Sequence, residues 1–177
     1  CATLLDALRA EKGIEVVYDS ISDFITLQPG IDLQHYAEKY KDVDLIIYAG
    51  GISALLEGEE GDTGNVEGFY RGDRTTINLP AVQTQVMQML QKSGKPMIFI
   101  CMSGSAIAFN WESQHIPAII QAWYGGQAAG TALADILFGR YNPSGKLPIT
   151  FYRSDSDLPA IEDYSMKNRT YRYFNGD

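Results

Sequence analysis

Met97-Ile98-Phe99-Ile100-Cys101 is apolar at every position, with no polar residue alternating through it. A strand with one solvated face alternates, so a strand without alternation has to be covered on both faces. A parallel sheet lying between helices meets that condition most simply. Three further runs have strand character: Ile14–Tyr18 (IEVVY), Asp44–Tyr48 (DLIIY) and Ile116–Trp123 (IPAIIQAW).

Segments with helical spacing separate these runs. Thr3 can cap a helix carrying Leu4, Leu5 and Leu8, which stops at Lys12-Gly13. Leu33 to Tyr40 places Leu33, Tyr36, Ala37 and Tyr40 on one face. Pro80 suits the first position of a helix, with Asn78 nearby as a cap, and Val82, Val86, Met89 and Leu90 follow before Ser93-Gly94. Gln127 to Phe138 is a further helix, ended by Gly139. Strands and helices alternating at this interval predict βαβ units. The expected fold is α/β, a mainly parallel sheet with helices on both faces, as in a flavodoxin-like three-layer sandwich. Pro29-Gly30 marks a turn within the loop 19–32, and beyond Tyr141 one short strand candidate remains, Leu147–Phe151.

At 177 residues the chain has the length of a single domain with a proper core. A formal net charge of −8 argues against a nucleic-acid partner, whose footprint is basic. Cys101 sits in the apolar run and reads as a buried small hydrophobe, and neither it nor Cys1 has the spacing of a zinc site. No metal or cofactor is expected. No apolar run approaches the length of a membrane span, so no membrane partner is expected. The chain opens inside a helical pattern rather than at a methionine, and the expectation is a piece of a longer protein.

The strand at Asp44–Tyr48 breaks at Gly50-Gly51 into a long polar stretch that lasts until the helix near Pro80. Long loops after the C-terminal ends of strands are where open α/β sheets place active sites. Glu57, Glu59 and Glu60 crowd into this one, and Asp73-Arg74 follows. A loop carboxylic acid beside a sugar pocket can protonate a leaving oxygen, its pKa raised by like charge and partial burial. The same glutamates also read as a solvated turn, which composition alone favours. With Asp62 they do not match a calcium loop. Asp62-Thr63-Gly64 is an isolated triplet in the wrong structural context for an aspartic protease. Asp73 and Arg74 are candidates for orienting the loop as an ion pair or for touching a substrate hydroxyl.

Gly125-Gly126-Gln127-Ala128-Ala129-Gly130 lacks the spacing of a phosphate loop, and its small residues read as close helix–sheet packing. His35 and His115 have no Ser or Cys placed beside them as a nucleophile. Trp111, Trp123 and Tyr124 are candidate sugar-stacking platforms, although aromatics near strand ends more often belong to the core. Asn168-Arg169-Thr170 is a formal glycosylation sequon.

Taken together, TLLDALR, DLIIYAGGIS, EGEE with a later GDR, INLPAVQ, IPAIIQAWYGGQAAGTALADILFG, RYNPSGKLPITFY and YRYF span most of the chain. In combination they resemble the C-terminal α/β-sandwich domain of glycoside hydrolase family three, and the GGIS turn and EGEE run are most similar to its β-xylosidase branch. The resemblance implies a retaining β-xylosidase or β-glucosidase, exo-acting on plant-type oligosaccharides. It also implies a preceding (β/α)8 barrel carrying the aspartate nucleophile as the domain's partner, and a periplasmic or secreted location. The family's acid/base glutamate lies in a run resembling E-x-E-x-x-D-R. Laid onto this sequence, that position is Glu59, with Glu60 and Glu57 as competitors. Here residues 60–71 and Gly72 intervene before Asp73-Arg74, a departure from the compact run. The competing expectation is a non-catalytic carbohydrate-binding or interdomain structural module.

Overall fold

The computed structural model describes residues 1–57 and 66–175. The chain divides into two compact units, one formed by Cys1–Ser20 with Tyr124–Leu147, the other by Ile21–Trp123 with the chain from Pro148 onward.

The first unit pairs two helices, α1 (Leu4–Arg9) and a later one, Ala129–Leu137. Thr3 caps α1 as expected: its hydroxyl accepts from the Asp6 N–H at 3.1 Å, and the Asp6 carboxylate accepts from the Thr3 N–H at 3.1 Å. This reciprocal box satisfies two of the donors a helix leaves unpaired at its start. Gly130 lets the second helix approach, since a Cβ there would collide with the Thr3 carbonyl. Gly130, expected to serve helix–sheet packing, therefore serves an approach to the start of α1. Arg140 donates to Asp135 at 2.7 Å and to Glu11 at 2.5 and 3.0 Å, tying the end of one helix to the chain just past the other. Ile14–Tyr18 was expected as a strand and is not one. It pairs with no neighbour among the described residues, and Ile14, Val17 and Tyr18 are exposed. β-branched residues favour a pleated, half-buried surface, but without a partner strand that preference forms no ladder.

The second unit holds the sheet. In chain order it contains α2 (Leu33–Lys39), β1 (Ile46–Gly51), the short β2 (Phe69–Tyr70) and β3 (Asp73–Arg74), and α3 (Ala81–Gln91). Then come β4 (Met97–Met102), α4 (Glu112–His115) and β5 (Ala118–Gln121). The helix Ala129–Leu137 of the first unit is α5, and α6 is Thr170–Tyr173. β4 lies between β1 and β5 and is parallel to both, with Ile46 opposite Met97 and Ile98 opposite Ala118. The expected α/β class and parallel sheet with flanking helices are what the chain adopts.

Phe99, Ile100 and Cys101 are each 0% exposed. Successive strand residues point to opposite faces, so three buried in a row means β4 is covered on both. Phe99 meets the rings of Tyr48 and Phe109 at 5.8 and 5.7 Å, and Val86, Met87 and Leu90 of α3 join the same core. Burial pushes the Cys101 thiol up to about 12, against a smaller opposing effect of the hydrogen bond to Ser103. It is inert at neutral pH.

Three boundaries differ from expectation. β1 does not break at Gly50-Gly51; both glycines pair within the sheet, opposite Cys101 and Met102. Side chains are excluded there, because a Cβ on Gly50 would strike the Gln83 side chain and one on Gly51 would strike the Met102 carbonyl. Pro80 sits just before α3, with φ −51° and ψ 127°, and Asn78 bridges to Ala108 instead of capping the helix. Leu147–Phe151 forms no strand, and Leu147 and Ile149 are exposed.

Truncating Phe99 to Ala is expected to destabilise the chain by about 3–5 kcal/mol, the usual cost of an aromatic core truncation, read as a lower urea midpoint at unchanged slope. Asp23 offers a pH-dependent test. Its carboxylate accepts from the Ile25 N–H and the Thr26 N–H, each at 2.7 Å, and from the Thr26 hydroxyl at 2.9 Å. These bonds, the Ile25 one foremost, hold it below the usual carboxylate range. A depressed carboxylate stabilises the fold above its unfolded-state pKa and loses that contribution as pH falls through its folded value. Asp23→Asn should therefore lower Tm at pH 7 by a few degrees, with the gap to wild type closing as the pH falls below the ordinary carboxylate range.

Candidate active site

The C-terminal ends of β1 and β4 lie side by side, so the chain leaving each strand meets the other. From β4 the chain makes a tight polar turn at Ser103–Ala106. The buried Ser103 hydroxyl donates to the Ser105 carbonyl at 2.8 Å and accepts from the Gln121 amide of β5 at 2.9 Å. The turn is thus fixed from two strands before anything reaches it.

Both ends of the acidic loop are fastened to this turn. Glu57, as the loop departs, accepts from the Gly104 N–H at 2.7 Å and from the Ser105 hydroxyl. Arg74, as it returns, donates from Nη1 to the Ser105 hydroxyl oxygen and to the Ala106 carbonyl, each at 2.8 Å. A serine hydroxyl has one hydrogen to give and lone pairs to receive, and Ser105 uses both capacities, toward an acid and a base respectively. Charge-assisted bonds of this kind are the stronger ones. The result is a neck: the chain leaves at Glu57, re-enters at Arg74 and is held at one residue.

Of the candidates drawn from the sequence, Glu59 and Glu60 lie outside the described residues, as does the Asp62-Thr63-Gly64 triplet. Glu57 is half-buried and engaged with the turn. Asp73 is exposed and pairs through its backbone with Tyr70 in the β2–β3 hairpin. Arg74 is half-buried and directed at Ser105 and Ala106, so the adjacent Asp and Arg take different directions. Thr76 and Ile77 continue the return limb, where the Thr76 hydroxyl donates to Asp155 at 2.6 Å and the Ile77 N–H at 2.7 Å.

Sequence reading missed Gly104 and Ser105. Their signal was present as Ser103-Gly104-Ser105-Ala106, a run of small polar residues after a buried strand and beside the strand that feeds the acidic loop. Trp111 and Trp123 are both partly buried against aromatic neighbours. Trp111 stacks on His115 at 4.7 Å, and Trp123 meets Phe151 edge-on at 6.1 Å. Trp123 also holds φ +57°, an uncommon conformation for a bulky residue. Tyr124 is exposed. Among the described residues no three His, Cys, Asp or Glu side chains gather in a way that would hold a metal ion, and no helix is long and apolar enough to cross a membrane.

Known proteins share this arrangement of sequence and fold. Residues 2–176 match the model of the glycosyl hydrolase family 3 C-terminal domain. A xylan 1,4-beta-xylosidase of Xylanibacter ruminicola is 48% identical over 94% of this chain and 21% of its own length. A periplasmic beta-glucosidase of Salmonella typhimurium is 41% identical over 90% of the chain and 21% of its length. Among solved structures, a GH3 exo-beta-xylosidase (XlnD) in complex with a xylobiose aziridine activity based probe superposes with a TM-score of 0.81 at 26% identity, over 99% of this chain and 23% of that one. The chain spans about a fifth of the length of these relatives. On the family match and on identity over nearly its whole extent, the chain belongs to glycoside hydrolase family three, as a C-terminal domain of that family.

Proposed function

We propose that this domain supplies the general acid/base glutamate, Glu59, to a retaining, exo-acting β-glycosidase of xylosidase or glucosidase type. Its substrates would be plant-type oligosaccharides, cleaved at their O-glycosidic bonds. The aspartate nucleophile comes from a barrel domain elsewhere in the same protein. In the first step that aspartate attacks the anomeric carbon while Glu59 passes its proton to the leaving oxygen. In the second, Glu59 takes a proton from water as the water attacks the glycosyl-enzyme.

The observation that carries this reading is the neck at Ser105, which closes the acidic loop on the C-terminal ends of two parallel strands. A general acid has to be delivered to within hydrogen-bond reach of a glycosidic oxygen, and a loop held at both ends on a rigid turn can do so repeatably. The neck also bears on the choice between Glu57 and Glu59. Both carboxylate oxygens of Glu57 accept hydrogen bonds from the turn, which favours Glu59 over Glu57. Arg74, engaged with the same turn, acts in holding the loop. Asp73, exposed beside it, is the better of the two for contact with a substrate hydroxyl. Similarity to a xylan 1,4-beta-xylosidase and to a periplasmic beta-glucosidase supports a pentose or hexose in the β configuration, and similarity to the second supports export.

Two measurements test this. The purified 177-residue chain, lacking the nucleophile, is expected to show no turnover of an aryl β-xyloside; measurable hydrolysis would overturn the division of labour. In the full-length enzyme, Glu59→Gln should lower kcat/KM on substrates with poor leaving groups by about 10²–10⁴-fold, the usual weight of general acid catalysis, and largely spare activated aryl glycosides. Azide should restore product formation in Glu59→Gln. Unchanged kinetics would favour a carbohydrate-binding or structural module instead, and the same signature in Glu60→Gln would move the role one residue along.

A further inference from the structure

Gln83 lies in the first turn of α3 and is 1% exposed, an amide buried where an apolar side chain would be ordinary. Burying an amide without partners is destabilising, and this one is fully employed. Its Oε1 accepts from the Gly51 N–H at 2.8 Å, while its Nε2 donates to the Gly51 carbonyl at 2.6 Å and to the Phe24 carbonyl at 2.8 Å. The side chain thus binds both polar groups of one residue, as a neighbouring strand would.

The position of that residue gives the contact its weight. The N–H groups of Ile46, which opens β1, and of Ile52, just past its end, face β4, bonding to the Pro96 and Met102 carbonyls at 3.0 and 2.8 Å. By alternation Gly51 faces the other way, toward the open edge of the sheet. It is the last residue of β1 and holds φ +116°, a backbone conformation reserved for glycine, so the chain changes direction there. Gln83 is the side chain that satisfies this turning point, and through Phe24 it joins it to the loop at residues 21–28, itself closed by the Ser22–Leu27 bridge. A Cβ on Gly50 would run into the same amide, so that glycine is matched to Gln83 as well.

We infer that Gln83 is a positioning residue for the acid/base, acting through Gly51 to set the direction in which the catalytic loop leaves the sheet. The assignment rests on the function proposed above and extends it to a second element: Ser105 holds the neck of the loop, and Gln83 sets its departure. No chemistry is required of the amide itself. Its effect reaches the reaction only as the placement of the loop carboxylic acid, so it should appear where proton donation limits the rate and vanish where it does not.

The test is a comparison of kcat/KM in the full-length enzyme for an alkyl β-xyloside and for 2,4-dinitrophenyl β-xyloside. The variants are Gln83→Met, which keeps the volume and removes the amide, and Gln83→Glu, which keeps an acceptor and removes the donors to Gly51 and Phe24. Misplacing a catalytic group by about an ångström costs on the order of 10²-fold. A loss of that size on the alkyl substrate, with less than about threefold on the activated one, is the expected result. In a Glu59→Gln background the Gln83 substitutions should then cost almost nothing further, since both act on one proton transfer. Equal losses on both substrates, or losses that add to those of Glu59→Gln, would overturn the inference and leave Gln83 a structural residue. So would failure of both variants to fold, judged by circular dichroism and thermal melts. A Glu59→Gln enzyme that does not distinguish the two leaving groups would count against the acid/base assignment itself and is read separately from the Gln83 comparison.

Discussion

Burial of β4 on both faces is the constraint from which the rest follows. Phe99, Ile100 and Cys101 leave the strand no solvent face, so it has to be flanked by strands and covered by other elements. An interior strand has a well-determined end, and the turn that follows it inherits that precision. Ser103, pinned between β4 and β5, is buried because the strands beside it are. Ser105 stands two residues further on and can hold Glu57 and Arg74 because its own backbone is held. An apolar run in the middle of the chain thereby determines where an acidic loop earlier in the sequence begins and ends.

Much of this was legible in the residues. The apolar strand, the four longest helices and the parallel class follow from periodicity, which reports burial directly. The exceptions have a common physical origin. Ile14–Tyr18 and Leu147–Phe151 have strand composition, but a strand is a property of two segments, and nothing in five residues shows whether a partner exists. Gly50-Gly51 reads as a break because glycine so often ends a strand. Here each glycine marks a close approach, of Gln83 in one case and of Met102 in the other. Such approaches join positions far apart in the chain and leave no local pattern.

The candidate site divides in the same way. The acidic loop is conspicuous in the sequence because its charges interrupt an apolar background, and Glu57 and Arg74 were noticed for that reason. Ser105 and Gln83 were not, since a lone serine and a lone glutamine carry no periodicity. Each matters for one geometric fact, a hydroxyl that gives and receives, and an amide that matches a peptide group. Family membership adds what one domain cannot contain. Under the proposed function, the reaction needs two carboxyl groups on opposite sides of a sugar, and this domain supplies one of them.

The neck has a consequence for how such domains diversify. Where two ends of a loop are already clasped, lengthening the segment between them costs only the added closure entropy, which grows with the logarithm of length. Stretching the compact E-x-E-x-x-D-R spacing to the interval between Glu57 and Arg74, roughly threefold longer, adds about 1 kcal/mol by that relation. The sheet, the turn and the clasp need not change at all. The chain between the two clasped ends can therefore be lengthened or shortened at a cost smaller than that of truncating a large side chain in the core beneath it.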